Sequence, residues 1–270
     1  MVPTPLSPEA PFLLNAVLLA RASLAAYGQP RTAVGGDGIT FGEIDLFTDE
    51  QTQTYALAMR NQQHIVLAFR GARNVSNFMT GVNVRLMPAY GGNVHQGFAR
   101  AWATMRDAIS TLLDRWQTDH RLLWLTGHSM GGALATLAAA DFKGQGRPVR
   151  EVVTFGAPRV GDAAFARGYQ VPTIRFVNHH DPVPWVPPYL QHVGQQWHFL
   201  PDGRLVEKVS RWQLVLENAL TFALNRNWPE TLAQQMRQSL DNHLMETYLT
   251  RVQRAAQVEV GLHAHTPESR

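Results

Sequence analysis

Hydrophobic residues follow two patterns along the chain, short apolar runs and longer stretches with helical spacing. The short runs are residues 64–69, 122–126, 152–155 and 174–177, and they are typical of strands buried on both faces of a sheet. Residues 43–47 and 52–60 predict an antiparallel edge, whereas residues 98–116 and 131–142 have helical patterns. Since strands and helices alternate, we predict an α/β fold: a mixed, mostly parallel central sheet flanked by helices.

The two ends of the chain are predicted to be helical. Residues 11–27 indicate an amphipathic helix packed on the domain, and residues 212–260 indicate two helices broken near Asn227-Trp228-Pro229. No repeat and no low-complexity block interrupts the chain, so residues 1–270 are predicted to form a single domain.

Composition and charge exclude several classes of protein. With 45% hydrophobic and 17% charged residues the chain is typical of globular proteins. The excess of 24 Lys and Arg over 21 Asp and Glu is small and contains no like-charge run, which argues against a nucleic-acid partner. The absence of Cys excludes disulfides, thiolate metal ligands and a Cys nucleophile.

The apolar stretch at residues 11–27 is interrupted by Asn15, Arg21 and Ser23, so we expect no transmembrane segment. A secretory signal would carry basic residues before its apolar part, but the first basic residue is Arg21. The compartment stays open: we expect a cytoplasmic protein or one exported without an ordinary signal, with an atypical signal as the alternative.

Residues 127–131 fit the pattern Gly-x-Ser-x-Gly, with Ser129 at its centre. The pentapeptide alone is weak evidence, but an apolar strand is predicted before it and a small-residue helix after it. This strand-turn-helix setting is the one that a nucleophile elbow requires. We therefore predict Ser129 as the nucleophile and the adjacent His128 as a packed, hydrogen-bonded residue.

Several ordered motifs then resemble the class 3 lipases, the group that includes fungal triacylglycerol lipases and related plant and bacterial enzymes. Besides the elbow, the motifs are Phe69-Arg70-Gly71, Val94 to Phe98, Phe155 to Asp162, Val177 to Pro184, and Asn242-His243 followed by Tyr248 and Leu249. The resemblance covers most of the chain and implies an α/β-hydrolase fold.

A serine nucleophile needs a histidine base and a carboxylate that orients it. In α/β-hydrolases these follow in the order Ser, acid, His, which leaves Asp141, Asp162, Asp181 and Asp202 as acids to consider. Asp181 is best placed because it follows a predicted strand, whereas Asp162 is expected to cap a helix. For the base, His192 and His198 also keep the order. His198 lies in a strand-like run between Trp197 and Phe199 and is expected to be a packed core or edge histidine, and spacing and resemblance agree on His243.

Two neighbouring histidines, His179 and His180, could suggest a metal site. Because adjacent residues of a strand point to opposite faces, we expect that they do not share one ion. The predicted chemistry requires no metal and no organic cofactor.

The oxyanion hole of such an enzyme uses backbone N–H groups of the residue after the nucleophile and of a loop after an earlier strand. These are predicted to be Met130 and Ala72. In the family the second position is usually Ser or Thr, whose hydroxyl adds a hydrogen bond, so Ala72 is a departure that bears on rate.

A lid is expected at about residues 74–86, where apolar residues form one face of a short helix; they are Val75, Phe78, Met79 and Val82. The resemblance implies that this face contacts the substrate and, transiently, a lipid–water interface. The alternative is a helix permanently docked on the core.

The resemblance implies a serine carboxylic ester hydrolase that acts on long-chain acylglycerols, foremost triacylglycerols. A phospholipase A1 and a short-chain or aromatic-acid esterase remain open, since one triad hydrolyses any ester that the pocket admits. A catalytically weak, lipase-like binding protein is the alternative outside the enzymes, and Ala72 is the observation in its favour.

Overall fold

The computed structural model describes residues 6–7, 10–28, 41–72, 85–116, 121–207 and 241–264. Its strands are β1 (Glu43–Asp49), β2 (Thr54–Arg60), β3 (His64–Phe69), β4 (Leu86–Ala89), β5 (Gly92–His95), β6 (Leu122–His128), β7 (Glu151–Phe155), β8 (Thr173–Asn178), β9 (Gln195–Phe199) and β10 (Leu205–Glu207). Its helices are α1 (Phe12–Ala25), α2 (Gln96–Trp116), α3 (Met130–Gly144), α4 (Ala163–Gly168) and α5 (Met245–Ala264).

Eight of these strands form one sheet in the order β1-β2-β3-β6-β7-β8-β9-β10, and β4 and β5 form a separate hairpin. The pairs from β3 to β9 are parallel, whereas β1 with β2, β2 with β3 and β9 with β10 are antiparallel. The carboxyl ends of the parallel strands therefore lie along one edge of the sheet, where ligands of open α/β sheets bind.

One face of the sheet packs against α2 and α3. The core here is built around Trp102, whose ring meets Phe69 and Phe142 edge-on and whose indole N–H donates to Asp141 at 2.9 Å. A buried indole needs such an acceptor because an unpaired polar group in an apolar interior costs about 1–3 kcal/mol. Helix α3 lies almost wholly within this core, as its Ala- and Leu-rich sequence predicts.

The opposite face packs against α1 and α5. Helix α1 is buried between the sheet and α5, which explains why it is apolar over most of its surface. Its polar Ser23 is matched inside this core by Thr126 of β6, with 2.8 Å between the two hydroxyl oxygens. Thr126 in turn lies 2.8 Å from the carbonyl oxygen of Val153, so these buried hydroxyls have acceptors.

The predicted α/β fold with a mixed, mostly parallel sheet is confirmed. Every strand predicted from the sequence is present, although β2 begins at Thr54 rather than at residue 52, because Thr52 closes a turn by donating from its amide N–H to Asp49. The β4–β5 hairpin and strand β10 were not predicted, and β9 was anticipated only as a strand-like run around His198. Within the described residues, no helix is both long and apolar enough to cross a bilayer. Of the two predicted C-terminal helices, the first and the break at residues 227–229 lie outside the described residues.

His198 in β9 is an uncompensated polar residue in the core. Its side chain is fully buried, and neither ring nitrogen has a hydrogen-bond partner within the part of the chain that the structure describes. Burial, assisted by the neighbouring His180, lowers the pKa of His198 to about 4. The folded protein therefore holds this ring neutral at pH values where the unfolded chain, with an ordinary pKa near 6.5, begins to protonate it.

This difference predicts a pH dependence of stability. Between pH 6.5 and about 4, His198 is protonated in the unfolded state but remains neutral in the folded state. His198 therefore lowers the free energy of unfolding as the pH falls from 6.5 towards 4. Replacement His198→Phe keeps a ring and removes the titration. In the variant, the free energy of unfolding should decrease less steeply with falling pH than in the wild type, by up to about 1 kcal/mol per pH unit. Urea denaturation of both proteins at pH 8, 7, 6 and 5 measures this free energy. The same dependence on pH below 6.5 in both proteins would contradict the prediction.

Candidate active site

Ser129 lies at a sharp turn between β6 and α3, with φ 57° and ψ −131°. Such backbone geometry costs a non-glycine residue on the order of 1–3 kcal/mol and has to be held by its surroundings. Two hydrogen bonds do so: the Ser129 N–H donates to the carbonyl of Phe155 in β7, and the Gly132 N–H donates to the carbonyl of Ser129, both at 2.9 Å.

The glycines around Ser129 are required by close packing. A Cβ at Gly127 would lie 2.3 Å from the carbonyl oxygen of Gly131, and a Cβ at Gly131 would lie 2.0 Å from the carbonyl oxygen of Phe69 at the end of β3. Neither contact is possible for a real side chain. The Gly-x-Ser-x-Gly pattern is therefore explained by the approach of strand, turn and helix to one another.

Ser129, His243 and Asp181 form a continuous hydrogen-bonded array. His243 Nε2 is 2.9 Å from Ser129 Oγ, and its Nδ1 is 2.8 Å and 3.0 Å from the two oxygens of Asp181. All three side chains are buried. A carboxylate bonded to Nδ1 leaves Nε2 as the ring nitrogen that faces the serine, which is the arrangement that activates a hydroxyl nucleophile.

Asp181 is held by groups besides the histidine. The Val183 N–H donates to one carboxylate oxygen at 2.9 Å, and the Tyr248 hydroxyl donates to the other at 2.6 Å. The hydroxyl oxygen of Tyr248 accepts from the backbone N–H of Asn178 at the end of β8. Tyr248 was noted in the sequence only as part of the family resemblance, and its hydrogen bond to Asp181 was not predicted.

The two predicted oxyanion positions each adjoin a residue or turn at the elbow. Met130 begins α3 directly after Ser129. Ala72 follows Gly71 in the loop after β3, and a Cβ built on Gly71 would lie only 2.9 Å from the Ser129 Cβ. The loop backbone and the elbow are thus in close contact, as donors to a common oxyanion would have to be.

His128, predicted to be a packed and hydrogen-bonded residue, is both. Its Nδ1 lies 2.7 Å from the Tyr27 hydroxyl and its Nε2 lies 2.6 Å from the carbonyl oxygen of His243. Burial, with a further contribution from His243, lowers the pKa of His128 well below its usual value. The ring is therefore neutral. Its contact with Tyr27 links α1 to the site and was not foreseen from the sequence.

The other acids and histidines that the sequence left open lie elsewhere. Asp162 caps α4 by accepting from the Phe165 N–H at 2.9 Å, as predicted. Asp141 accepts from Trp102, and Asp202 pairs with Arg204 at the start of β10. His198 is buried in β9, as expected for a packed histidine.

The prediction that His179 and His180 point to opposite faces of a strand was wrong. Strand β8 ends at Asn178, so the two histidines belong to the following turn, where His179 has φ 41°. Their ring centroids are 3.7 Å apart, on the same side of the backbone. No group of three or more potential metal ligands occurs within the described ranges.

The predicted lid, about residues 74–86, lies outside the described residues except at its end. The four apolar residues of the predicted lid face are therefore outside the described residues; they are Val75, Phe78, Met79 and Val82. Leu86 does not belong to a lid helix, because it is the first residue of β4. The predicted lid segment therefore extends too far at its C-terminal end.

The family model for lipase (class 3) matches residues 66–191, a segment that contains both Ser129 and Asp181. This segment of the chain is thus similar to the class 3 lipases, as the sequence motifs indicate. Two similar relatives are the secreted mono- and diacylglycerol lipase A of Penicillium cyclopium and a lipase of Rhizomucor miehei. The first is 35% identical over 170 residues, covering 59% of this chain and 56% of the relative. The second is 34% identical over 152 residues, covering 51% and 42%. The chain thus spans about half the length of the curated relatives that it matches.

Solved structures of class 3 lipases have the same fold. The triacylglyceride lipase of Rhizomucor miehei aligns over 73% of this chain and 84% of its own with a TM-score of 0.64 and 23% identity. A mutant form of MDLA from Penicillium cyclopium aligns over 73% and 86% with a TM-score of 0.63 and 26% identity. The mixed, mostly parallel sheet with flanking helices is shared with these fungal lipases.

The packing around Asp181 generates a stability prediction at Gly156. This residue has φ +59°, and a Cβ here would lie 2.7 Å from Asp181 Oδ2. Gly146 has a similar φ of +75° but open space around it, so it serves as a matched control. We expect Gly146→Ala to cost about 1 kcal/mol of stability through backbone strain alone, and Gly156→Ala to cost roughly 1–3 kcal/mol more because the carboxylate must move. Chemical denaturation measures both; equal losses would contradict the assigned contact.

Proposed function

We propose that this protein is a class 3 lipase, a serine carboxylic ester hydrolase whose substrates are long-chain acylglycerols, with triacylglycerols foremost. The observation that carries the proposal is the buried Ser129–His243–Asp181 array, in which the serine oxygen is 2.9 Å from a histidine nitrogen whose partner nitrogen faces a carboxylate. Its geometry fits acyl transfer to a serine hydroxyl.

In the proposed mechanism Ser129 Oγ attacks the ester carbonyl while His243 Nε2 takes its proton. The histidine then gives this proton to the departing alkoxide, leaving an acyl group on the serine. Asp181 holds the ring orientation and stabilises the imidazolium that forms. A water molecule, deprotonated by the same histidine, attacks the acyl-enzyme; the histidine then returns this proton to Ser129 Oγ as the fatty acid leaves.

The oxyanion of each tetrahedral intermediate would be bound by the backbone N–H groups of Ala72 and Met130. Donors that are fixed before the reaction stabilise developing charge without reorganising, and one such donor is worth about 3 kcal/mol. The place of Ala72 beside the elbow supports this assignment, although its side chain supplies no third donor.

The substrate class rests on the relatives. The Penicillium relative is described as a mono- and diacylglycerol lipase, and a structural neighbour is a triacylglyceride lipase. A lipid ester fits both descriptions. Which acylglycerol is preferred depends on the whole protein, and the relatives extend beyond the matched segment.

The deciding experiment compares wild type with Ser129→Ala on nitrophenyl esters from acetyl to palmitoyl, on emulsified triolein and on phosphatidylcholine. We expect hydrolysis of triolein and of long-chain esters by the wild type, and a loss of at least about four orders of magnitude in the variant, since the nucleophile is absent.

Other outcomes would support one of the alternative functions. Preference for phosphatidylcholine would make the protein a phospholipase, and activity confined to short chains would make it an esterase. A folded wild type that hydrolyses none of these esters and is not labelled by a serine-directed phosphonate would leave the lipase-like binding protein.

The alanine at position 72 generates a second prediction. Ala72→Thr should raise kcat, by up to about ten-fold, because the new hydroxyl can donate to the oxyanion as a third group. Ala72→Val has the same branched shape without a hydroxyl, and it should give no gain. Steady-state kinetics on one soluble ester measures both; equal rates in the two variants would argue against Ala72 as an oxyanion position.

A further inference from the structure

Tyr27, two residues beyond α1, places its hydroxyl at the meeting point of three segments. The N–H of Gly71, in the loop after β3, donates to this hydroxyl oxygen at 3.0 Å. On its other side the hydroxyl lies 2.7 Å from Nδ1 of His128, the residue before the nucleophile. The motifs noted in the sequence do not include Tyr27, and the proposed acyl transfer does not use it.

The direction of each hydrogen bond follows from elementary chemistry. A carbonyl oxygen only accepts, so His128 Nε2, 2.6 Å from the carbonyl of His243, must carry the ring proton. Because the buried His128 has a pKa well below its usual value, the ring is neutral and Nδ1 is an acceptor. The Tyr27 O–H therefore donates to Nδ1. Burial also raises the pKa of Tyr27, which keeps this donor protonated.

The resulting chain runs from Gly71 N–H to the Tyr27 hydroxyl, the His128 ring and the carbonyl of His243. We call these four groups the hydroxyl brace. At one end it holds the loop that carries Ala72, and at the other it holds the backbone of the proposed base. In its middle it holds the residue next to Ser129.

The loop after β3 packs closely against the brace at Gly71. A Cβ at Gly71 would lie 2.2 Å from the Tyr27 oxygen and 2.8 Å from the carbonyl oxygen of His128. The loop backbone thus rests directly on the tyrosine hydroxyl and on the elbow. Shifting the hydroxyl would shift the Gly71 N–H, and with it the adjoining amide of Ala72.

Resting on the proposed function, we propose that Tyr27 is a positioning residue for ester hydrolysis. Through the hydroxyl brace it sets the oxyanion loop against Ser129 and His243. This contact matters for catalysis because Ala72 has no side-chain hydroxyl. That half of the oxyanion hole is then a backbone N–H alone. Its stabilising effect therefore depends entirely on where the loop backbone lies. Transition-state stabilisation is lost steeply when a donor moves by a fraction of an ångström.

The test is Tyr27→Phe, which removes one oxygen atom and keeps the ring. We expect kcat per active site on a soluble nitrophenyl ester to fall about ten-fold with KM within two-fold of wild type, because the brace acts on the transition state and not on ester binding. Active sites are counted by phosphonate labelling, so that a loss of folded protein does not count as a loss of rate.

Tyr169→Phe is the matched control. The Tyr169 hydroxyl is 2.9 Å from Thr173 Oγ1, it packs with the core on the α2 and α3 face, and it has no contact with the brace. This variant loses the same atom and one hydrogen bond, but its kcat should equal that of wild type. Tyr27→Phe with kcat within two-fold of wild type, or an equal fall in Tyr169→Phe, would overturn the proposal.

A second measurement does not depend on activity. In ¹⁵N NMR spectra of histidine-labelled protein at pH 7, with His128 assigned through His128→Gln, we expect a protonated Nε2 and a hydrogen-bonded, unprotonated Nδ1. In Tyr27→Phe the Nδ1 resonance should move towards the value of a free acceptor. If the wild type proves inactive on every ester, the proposed function fails while this spectrum still tests the brace. A protonated Nδ1, or no change in the variant, would exclude it.

Discussion

The strained turn at Ser129 is the constraint on which the arrangement of the site depends. A serine with φ 57° is not stable in an isolated chain, so the turn persists only because β6 and α3 are both fixed by the core. The cost is offset by the hydrogen bond to β7 and by burial of α3. In return, the turn presents the hydroxyl at the carboxyl edge of the sheet, where β3 and β8 also end.

The polar groups behind this turn form one connected set. Asp181 receives hydrogen bonds from the Val183 amide, from Tyr248 and from His243, so its charge is compensated although it is buried. On the other side, Tyr27 and His128 join the loop after β3 to the backbone of His243. Helices α1 and α5 pack against each other, and the two tyrosines of the set lie just beyond the end of α1 and within α5.

Neutral histidines are a second consequence of burial. His128, His179, His192 and His198 all have pKa values lowered chiefly by desolvation. At His128 this has a structural use, because only the neutral ring can accept from Tyr27 while donating to the His243 carbonyl. At His198 no such use is visible, and the residue makes the fold sensitive to acid.

The sequence by itself predicted β1, β2, β3, β6, β7 and β8 and the helices before and after Ser129, and its motifs selected Ser129, Asp181 and His243 as candidate nucleophile, acid and base. It could do so because hydrophobic periodicity and the glycines at 127 and 131 are local signals with local physical causes. Strand β9 was anticipated only as a strand-like run around His198, and β10 was missed because three residues are too few to show a pattern. The roles of Tyr27 and Tyr248 and the contact between the His179 and His180 rings were decided by tertiary structure. The tyrosines contact residues 101 and 67 positions away in the chain, and the two histidine rings meet because the chain turns after β8.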